Sequence, residues 1–204
     1  MARRISFDYD RAVDAAMRVF WRKGYAETSL LDLQEAMGIR EGSFYNTFGS
    51  KRKLFDLCIE RYRTTVVSRR LEALTAPARA TDGLRRFFEA IFDRLDDTAV
   101  PSRLCMLAAL SSEDVDADEE LRSLAAGGVD ELRTALAARL AADREAGTLP
   151  SGIDPETVAG ILTTYMQGFW RVAVVDYRPE ELRTQINALM QALGLPIDLP
   201  VATR

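Results

Sequence analysis

Apolar residues recur at three- and four-residue steps along almost the whole chain. In FDYDRAVDAAMRVFWRKG, Ala12, Ala15, Ala16, Val19 and Phe20 keep that spacing, which turns one stripe of an α-helix toward a core. Gly24 follows as a C-terminal cap. Thr28 or Ser29 offers an N-cap for a second helix, LLDLQEAM, with Leu30, Leu33 and Met37 on one side. Gly38 stops that helix early. Glu41 to Thr47 reads as a third short helix, and Ser50 caps a fourth, long one running from Lys51 to about Ala73. Pro77 breaks the chain.

Further helices are expected over 81–97, 103–113, 118–146, 155–176 and 180–193. Their punctuation is regular. Pro101 precedes the sixth, and Gly147 and Pro150 end the seventh. Asp154-Pro155 is an N-cap followed by proline at the first helical position, and Arg178-Pro179-Glu180-Glu181 sets acids on a positive helix end. No segment alternates with period two, and no internal repeat or low-complexity tract is found. The pattern predicts an all-α chain of about nine helices: three short ones, a long one, then a larger set.

Composition narrows the chemistry. Of 204 residues, 48% are apolar, enough for a sizeable core, and none is histidine. A Ser-His-Asp triad, a Cys-His pair, a His₃ zinc site and a histidine general base are therefore excluded. The two cysteines, Cys58 and Cys105, cannot complete a zinc site alone and fit a reducing cytoplasm as small buried apolar residues. No metal and no cofactor is expected. The N-terminus lacks the apolar core of a signal peptide, and no stretch reaches the roughly 18 apolar residues of a membrane helix. A cytoplasmic protein with no membrane partner is expected. Net charge is −4 but uneven: residues 1–63 hold 12 Lys+Arg against 9 Asp+Glu, and the remainder 15 against 22. A basic head on an acidic body suggests that the head meets an anion.

The stretch GIREGSFYNTFGSKRKLF, residues 38–55, fits that head. Two short helices joined by a tight glycine turn form a helix-turn-helix, whose second helix lies in the major groove of DNA. Such a helix must be apolar behind and polar in front. Phe44 and Phe48, four apart, can face a core, while Ser43, Tyr45, Asn46 and Thr47 fall mainly on the other side. Gly42 allows close backbone approach. Hydroxyl and amide groups suit phosphates and bases, and Asn46 could pair bidentately with adenine. Lys51, at the start of the next helix, makes a natural phosphate contact. Arg3 and Arg4 precede the first helix and could reach the backbone or a minor groove.

Residues 9–55 resemble the N-terminal domain of the TetR/AcrR family of bacterial transcriptional regulators. The resemblance runs through A-x-x-V-F-W-R-K-G-Y (Ala16 to Tyr25), T-S-L-L-D-L (Thr28 to Leu33), A-M-G-I (Ala36 to Ile39) and G-S-F-Y-N-T-F-G-S-K-R-K-L-F (Gly42 to Phe55). It implies that Tyr45 and Lys51 contact the DNA backbone, and that Arg40, Glu41, Ser43 and Asn46 lie at or near bases. Thr28 would cap the second helix and touch phosphate, with Ser29 beside it. Thr47 stands where many members carry histidine; a hydroxyl still reaches a phosphate. The domains expected are a helix-turn-helix head over 1–50 and a helical effector-binding and dimerisation domain over 51–204, joined by the long helix of about 51–73.

The same resemblance implies a homodimer that binds a pseudo-palindromic double-stranded operator as a ligand-released repressor. Apolar residues of the last two long helices are candidates for the dimer face: Val158, Leu162, Tyr165, Leu182, Ile186, Leu189 and Leu193. Phe88, Ile91, Met106, Tyr165, Met166, Phe169 and Trp170 are candidates for an effector pocket, since Met and aromatic side chains suit an adaptable apolar cavity; the spacing fits ordinary core as well. Two alternatives stay open. One is a non-repressor DNA-binding role, as an activator or nucleoid-structural protein. The other is a helical enzyme, against which count the missing histidine, phosphate loop and paired carboxylates.

Overall fold

The computed structural model describes residues 7–110 and 118–201. The helices are α1 (Tyr9–Lys23), α2 (Leu30–Met37), α3 (Glu41–Phe48), α4 (Lys51–Tyr62), α5 (Ser68–Thr75), α6 (Ala80–Asp96), α7 (Met106–Leu110), α8 (Glu119–Glu145), α9 (Pro155–Val175) and α10 (Pro179–Ala192), with a π-helical turn, Arg63–Val67, between α4 and α5. Among the described residues there is no strand, so the expected all-α class holds. Counting the unbroken run from Lys51 to Thr75 as one, the described residues carry nine helical runs, as the pattern predicts. No helix among them is long and apolar enough to cross a membrane.

Two expected helices differ in detail. The long fourth helix is interrupted at Arg63–Val67. There the hydroxyls of Thr64 and Thr65 donate to the carbonyls of Glu60 and Arg61, competing with the backbone ladder. The sixth, expected from 103, begins at Met106. Before it, the Leu104 carbonyl accepts a 2.7 Å hydrogen bond from the Trp21 indole.

The chain divides into two compact units. The first holds the described residues as far as Val66 and those between Leu104 and Ala125. Its core is dense in rings. Phe20 meets Phe55 edge-on at 4.9 Å, Trp21 meets Tyr62 edge-on at 4.9 Å, and Tyr25 lies 4.8 Å from Phe55. Cys58 is buried there, which pushes its thiol pKa up and keeps it an apolar filler. α7 belongs to this unit, and the Cys105 thiol lies 3.4 Å from the Tyr62 hydroxyl.

The second unit holds Val67–Arg103 and Ala126–Arg204, described as far as Val201. α5 and α6 cross so closely that a Cβ on Gly83 would stand 2.2 Å from the Leu74 carbonyl oxygen. Only glycine fits that crossing. The N-terminus of α6 is capped from a distance: Arg79, its own cap residue, offers no side-chain bond, and buried Asp143 of α8 accepts from the Ala80 N–H at 2.8 Å. Arg139 holds the other Asp143 oxygen and donates to the carbonyls of Pro77 and Ala78. A buried carboxylate is thus fully engaged. After α10, the Asn187 side chain pairs with the backbone N–H and C=O of Leu199 and ties down the terminal segment.

Candidate nucleic-acid interface

The helix-turn-helix is built from short-range signals. Ser29 caps α2 in a reciprocal box: its hydroxyl accepts from the Asp32 N–H, and the Asp32 carboxylate accepts from the Ser29 N–H. Lys23 donates to the same carboxylate at 2.6 Å. This bond, ahead of those from Ser29, pulls the Asp32 pKa from 3.8 down to about 2. Gly38 then turns the chain at φ 65°, a left-handed conformation that costs any other side chain energy, and α3 starts three residues later. The cap is Ser29 and not Thr28. Thr28 is 1% exposed, and its hydroxyl donates back to the Gly24 carbonyl at 2.6 Å. Burial therefore removes the Thr28 side chain from the outward face, and Ser29 holds the exposed position.

α3 divides cleanly. Phe44 and Phe48 are buried, and Phe48 stacks on Tyr9 at 5.5 Å. Arg40, Glu41, Gly42, Tyr45 and Asn46 are exposed, while Ser43 and Thr47 are half-buried. Tyr45 stands edge-on to Phe44 at 5.4 Å, which fixes its ring while leaving it 45% exposed. Gly42 has open space where a Cβ would sit, so nothing inside the protein requires glycine there. Arg40 is the cap residue of α3 but makes no side-chain cap bond, unlike Asp8, Ser29 and Ser50 at the other head helices.

The three cations after Ser50 have different roles. The Lys51 ammonium lies 4.4 Å from the centre of the Tyr25 ring and 3.5 Å from the Ala26 carbonyl, which aims it beside the start of α2. Arg52 is drawn into an acidic clasp with Asp56, Asp118 and Glu120 at 3.0–3.3 Å. Lys53 is exposed. No local pattern signals the Arg52 clasp, because Asp118 lies 66 residues away. Leu31, 63% exposed, was also missed. Helical spacing of Leu30, Leu33 and Met37 leaves Leu31 off the apolar stripe, which is the signal that finds it. Arg3 and Arg4 lie outside the described residues.

The remaining candidates separate by unit. Phe88, Ile91, Met166, Phe169 and Trp170 are buried in the second unit, and Tyr165 is half-buried there. Met106, on α7, is buried in the first unit. The dimer-face candidates need correction. Val158, Leu162, Leu182 and Ile186 are at most 5% exposed within the protomer, so they form its own core; Tyr165, Leu189 and Leu193 are half-buried. The outward face of α9 carries Ile161, Gly168, Val172 and Val175 instead, with Val172 49% and Val175 87% exposed. Both faces of α9 are apolar, and sequence spacing alone does not say which one the protomer keeps.

An exposed polar helix on a three-helix apolar support, entered through a left-handed glycine turn, is the architecture of a helix-turn-helix transcriptional regulator. Comparison with known proteins agrees. Residues 12–58 match the family described as bacterial regulatory proteins, tetR family, and residues 80–189 match the tetracyclin repressor-like C-terminal domain. The HTH-type transcriptional repressor ComR of Escherichia coli (strain K12) is 30% identical over 166 residues, covering 79% of this chain and 77% of ComR. The HTH-type transcriptional regulator YezE of Bacillus subtilis (strain 168) is 31% identical over 121 residues, 59% of this chain and 62% of YezE. Among solved structures, a cysteine mutant of the TetR family transcriptional regulator CifR, complexed with 26-bp double-strand operator DNA, superposes with a TM-score of 0.81 at 28% identity, covering 92% of this chain and 96% of that one. The chain belongs to the TetR family, and it is a DNA-binding transcriptional regulator.

Proposed function

We propose that the protein is a homodimeric repressor that binds a pseudo-palindromic operator and is released by a small-molecule effector. The observation that carries the DNA half is the division of α3: two buried phenylalanines anchor it, and every other side chain from Arg40 to Thr47 is at least partly open. In this reading Arg40, Glu41, Ser43 and Asn46 meet base edges, Gly42 lets the backbone approach, and Tyr45, Thr47, Ser29 and Lys51 hold phosphates. CifR, bound to its operator, supports the same use of the fold. The repressor sign is supported by ComR.

One head covers little DNA, and a two-fold dimer matches two half-sites. The outward stripe of α9, Ile161, Tyr165, Gly168, Val172 and Val175, supplies a self-complementary apolar face for that dimer. Residues 1–50 then act as the DNA-binding domain and 51–204 as the regulatory domain, in the cytoplasm where the DNA is. The effector acts by its differential affinity for the DNA-competent and DNA-incompetent arrangements.

The test is fluorescence anisotropy with DNA from upstream of the protein's own gene. Saturable binding of two protomers per site, resistant to competitor DNA, is expected. Tyr45→Ala and Lys51→Ala should each weaken it while the dimer stays folded, and Lys51→Ala should flatten the log–log salt slope by about 0.9. Wild-type binding by both variants would remove α3 from the interface.

A further inference from the structure

One large apolar side chain stands open within the candidate DNA surface. Leu31 of α2 is 63% exposed, more than any other large apolar side chain among the described residues of the first unit. Tyr45 and Tyr9 are partly exposed too, but each is braced by a phenylalanine, Phe44 and Phe48. The buried stripe of α2 is Leu33 and Met37, and a residue two positions from Leu33 falls on the opposite side of an α-helix. Gln34 and Glu35, one turn on from Leu31, share its side and are polar. A lone exposed leucine is ordinary on a protein surface, so its place is what counts here.

That place is continuous with the proposed interface. Ser29, exposed and two residues earlier, caps α2. The Lys51 ammonium is held at the same end of the helix, 3.5 Å from the Ala26 carbonyl. Side chains on a helix lean toward its N-terminus, so Leu31 leans toward the end where these two phosphate-binding candidates lie. In a helix-turn-helix the first helix crosses the DNA backbone while the second enters the major groove, and only the turn at Gly38 separates α2 from α3. An anionic phosphate gives a leucine nothing to pack on. The major groove of B-DNA does present an apolar group, the C5-methyl of thymine.

We infer that Leu31 is a specificity-determining residue, which packs on the C5-methyl of one thymine in each operator half-site. The contact takes apolar surface of both partners out of water, so it favours thymine over cytosine, which has no methyl there, and over the polar edges of the purines. It adds to the half-site one base position read from α2 and not from α3. The inference deepens, and rests on, the reading of the protein as an operator-binding regulator.

The probes are duplexes that the full-length protein selects from a randomised library. Wild type should enrich a two-fold-related half-site with a fixed thymine. Leu31→Ala should lose the preference at that thymine and keep the other positions, while Leu31→Met, still apolar, should retain it. Leu31 lies outside the core, so unchanged helicity is expected in both variants. Replacing the thymine by uracil deletes the methyl alone. Wild-type binding should then weaken about threefold per substituted half-site, and Leu31→Ala binding should not change. An unaltered selected site for Leu31→Ala, or a uracil loss equal in the two proteins, overturns the inference and leaves the operator reading in place. So does a Leu31→Ala protein that weakens on selected and random duplexes alike, which marks a backbone contact, or one whose dimer dissociates in sedimentation, which assigns Leu31 to a second copy. A wild-type protein that enriches no sequence removes the operator reading itself, and this inference with it.

Discussion

Two helical glycines show how differently the two units are constrained. Gly42, in the first turn of α3, has nothing within 4 Å of where a Cβ would sit. Gly83, in the first turns of α6, has the Leu74 carbonyl oxygen 2.2 Å from that point. The second glycine is required by the protomer's own backbone. The first weakens its helix for no internal gain, which fits the close backbone approach to DNA proposed for it. Packing dictates the glycine in the second unit and leaves the one in the head unconstrained.

The largest effect should come from the outward stripe of α9. Val172→Glu puts a charge on the proposed dimer face without touching the protomer core. It should weaken dimerisation by about a hundredfold in sedimentation equilibrium, with helicity unchanged. An unchanged dimer would move the interface elsewhere. Next, Gly83→Ala forces α5 and α6 apart and should cost about 2 kcal/mol in urea unfolding; a neutral result would mean that the crossing is loose.

Gly42→Ala is the counterpart in the head and should have the opposite sign on stability. It should stabilise by about 0.5 kcal/mol, since alanine is the better helix former, while weakening operator binding. Loss of stability, or unaltered DNA affinity, would erase the contrast between the two glycines. The smallest effect concerns the cap of α2. Because the Asp32 pKa falls from 3.8 to about 2 on folding, its stabilisation is full above pH 4 and is lost as pH falls toward 2. The melting-temperature difference between wild type and Asp32→Asn should therefore shrink over that window. A difference that stays constant with pH would mean that the carboxylate charge does not matter to the cap.

What the sequence determined by itself was local and periodic. Helical spacing gave the all-α class and the order of the helices. Ser50, Asp154 and the glycines at 24 and 38 marked their ends, because caps and left-handed turns depend on a few adjacent residues. The polar front and apolar back of α3 were visible for the same reason, since four-residue spacing decides both. Tertiary structure decided the rest. Which side of α9 faces inward follows from what α9 packs on, and two apolar faces look alike in a linear pattern. Asp143 as the cap of α6, Arg52 in its acidic clasp and Arg70 against Trp170 each join residues more than 60 positions apart. Periodicity carries no information about such pairs. They exist because a buried charge or an open helix end must find a partner, and the partner is whichever group the fold brings within reach.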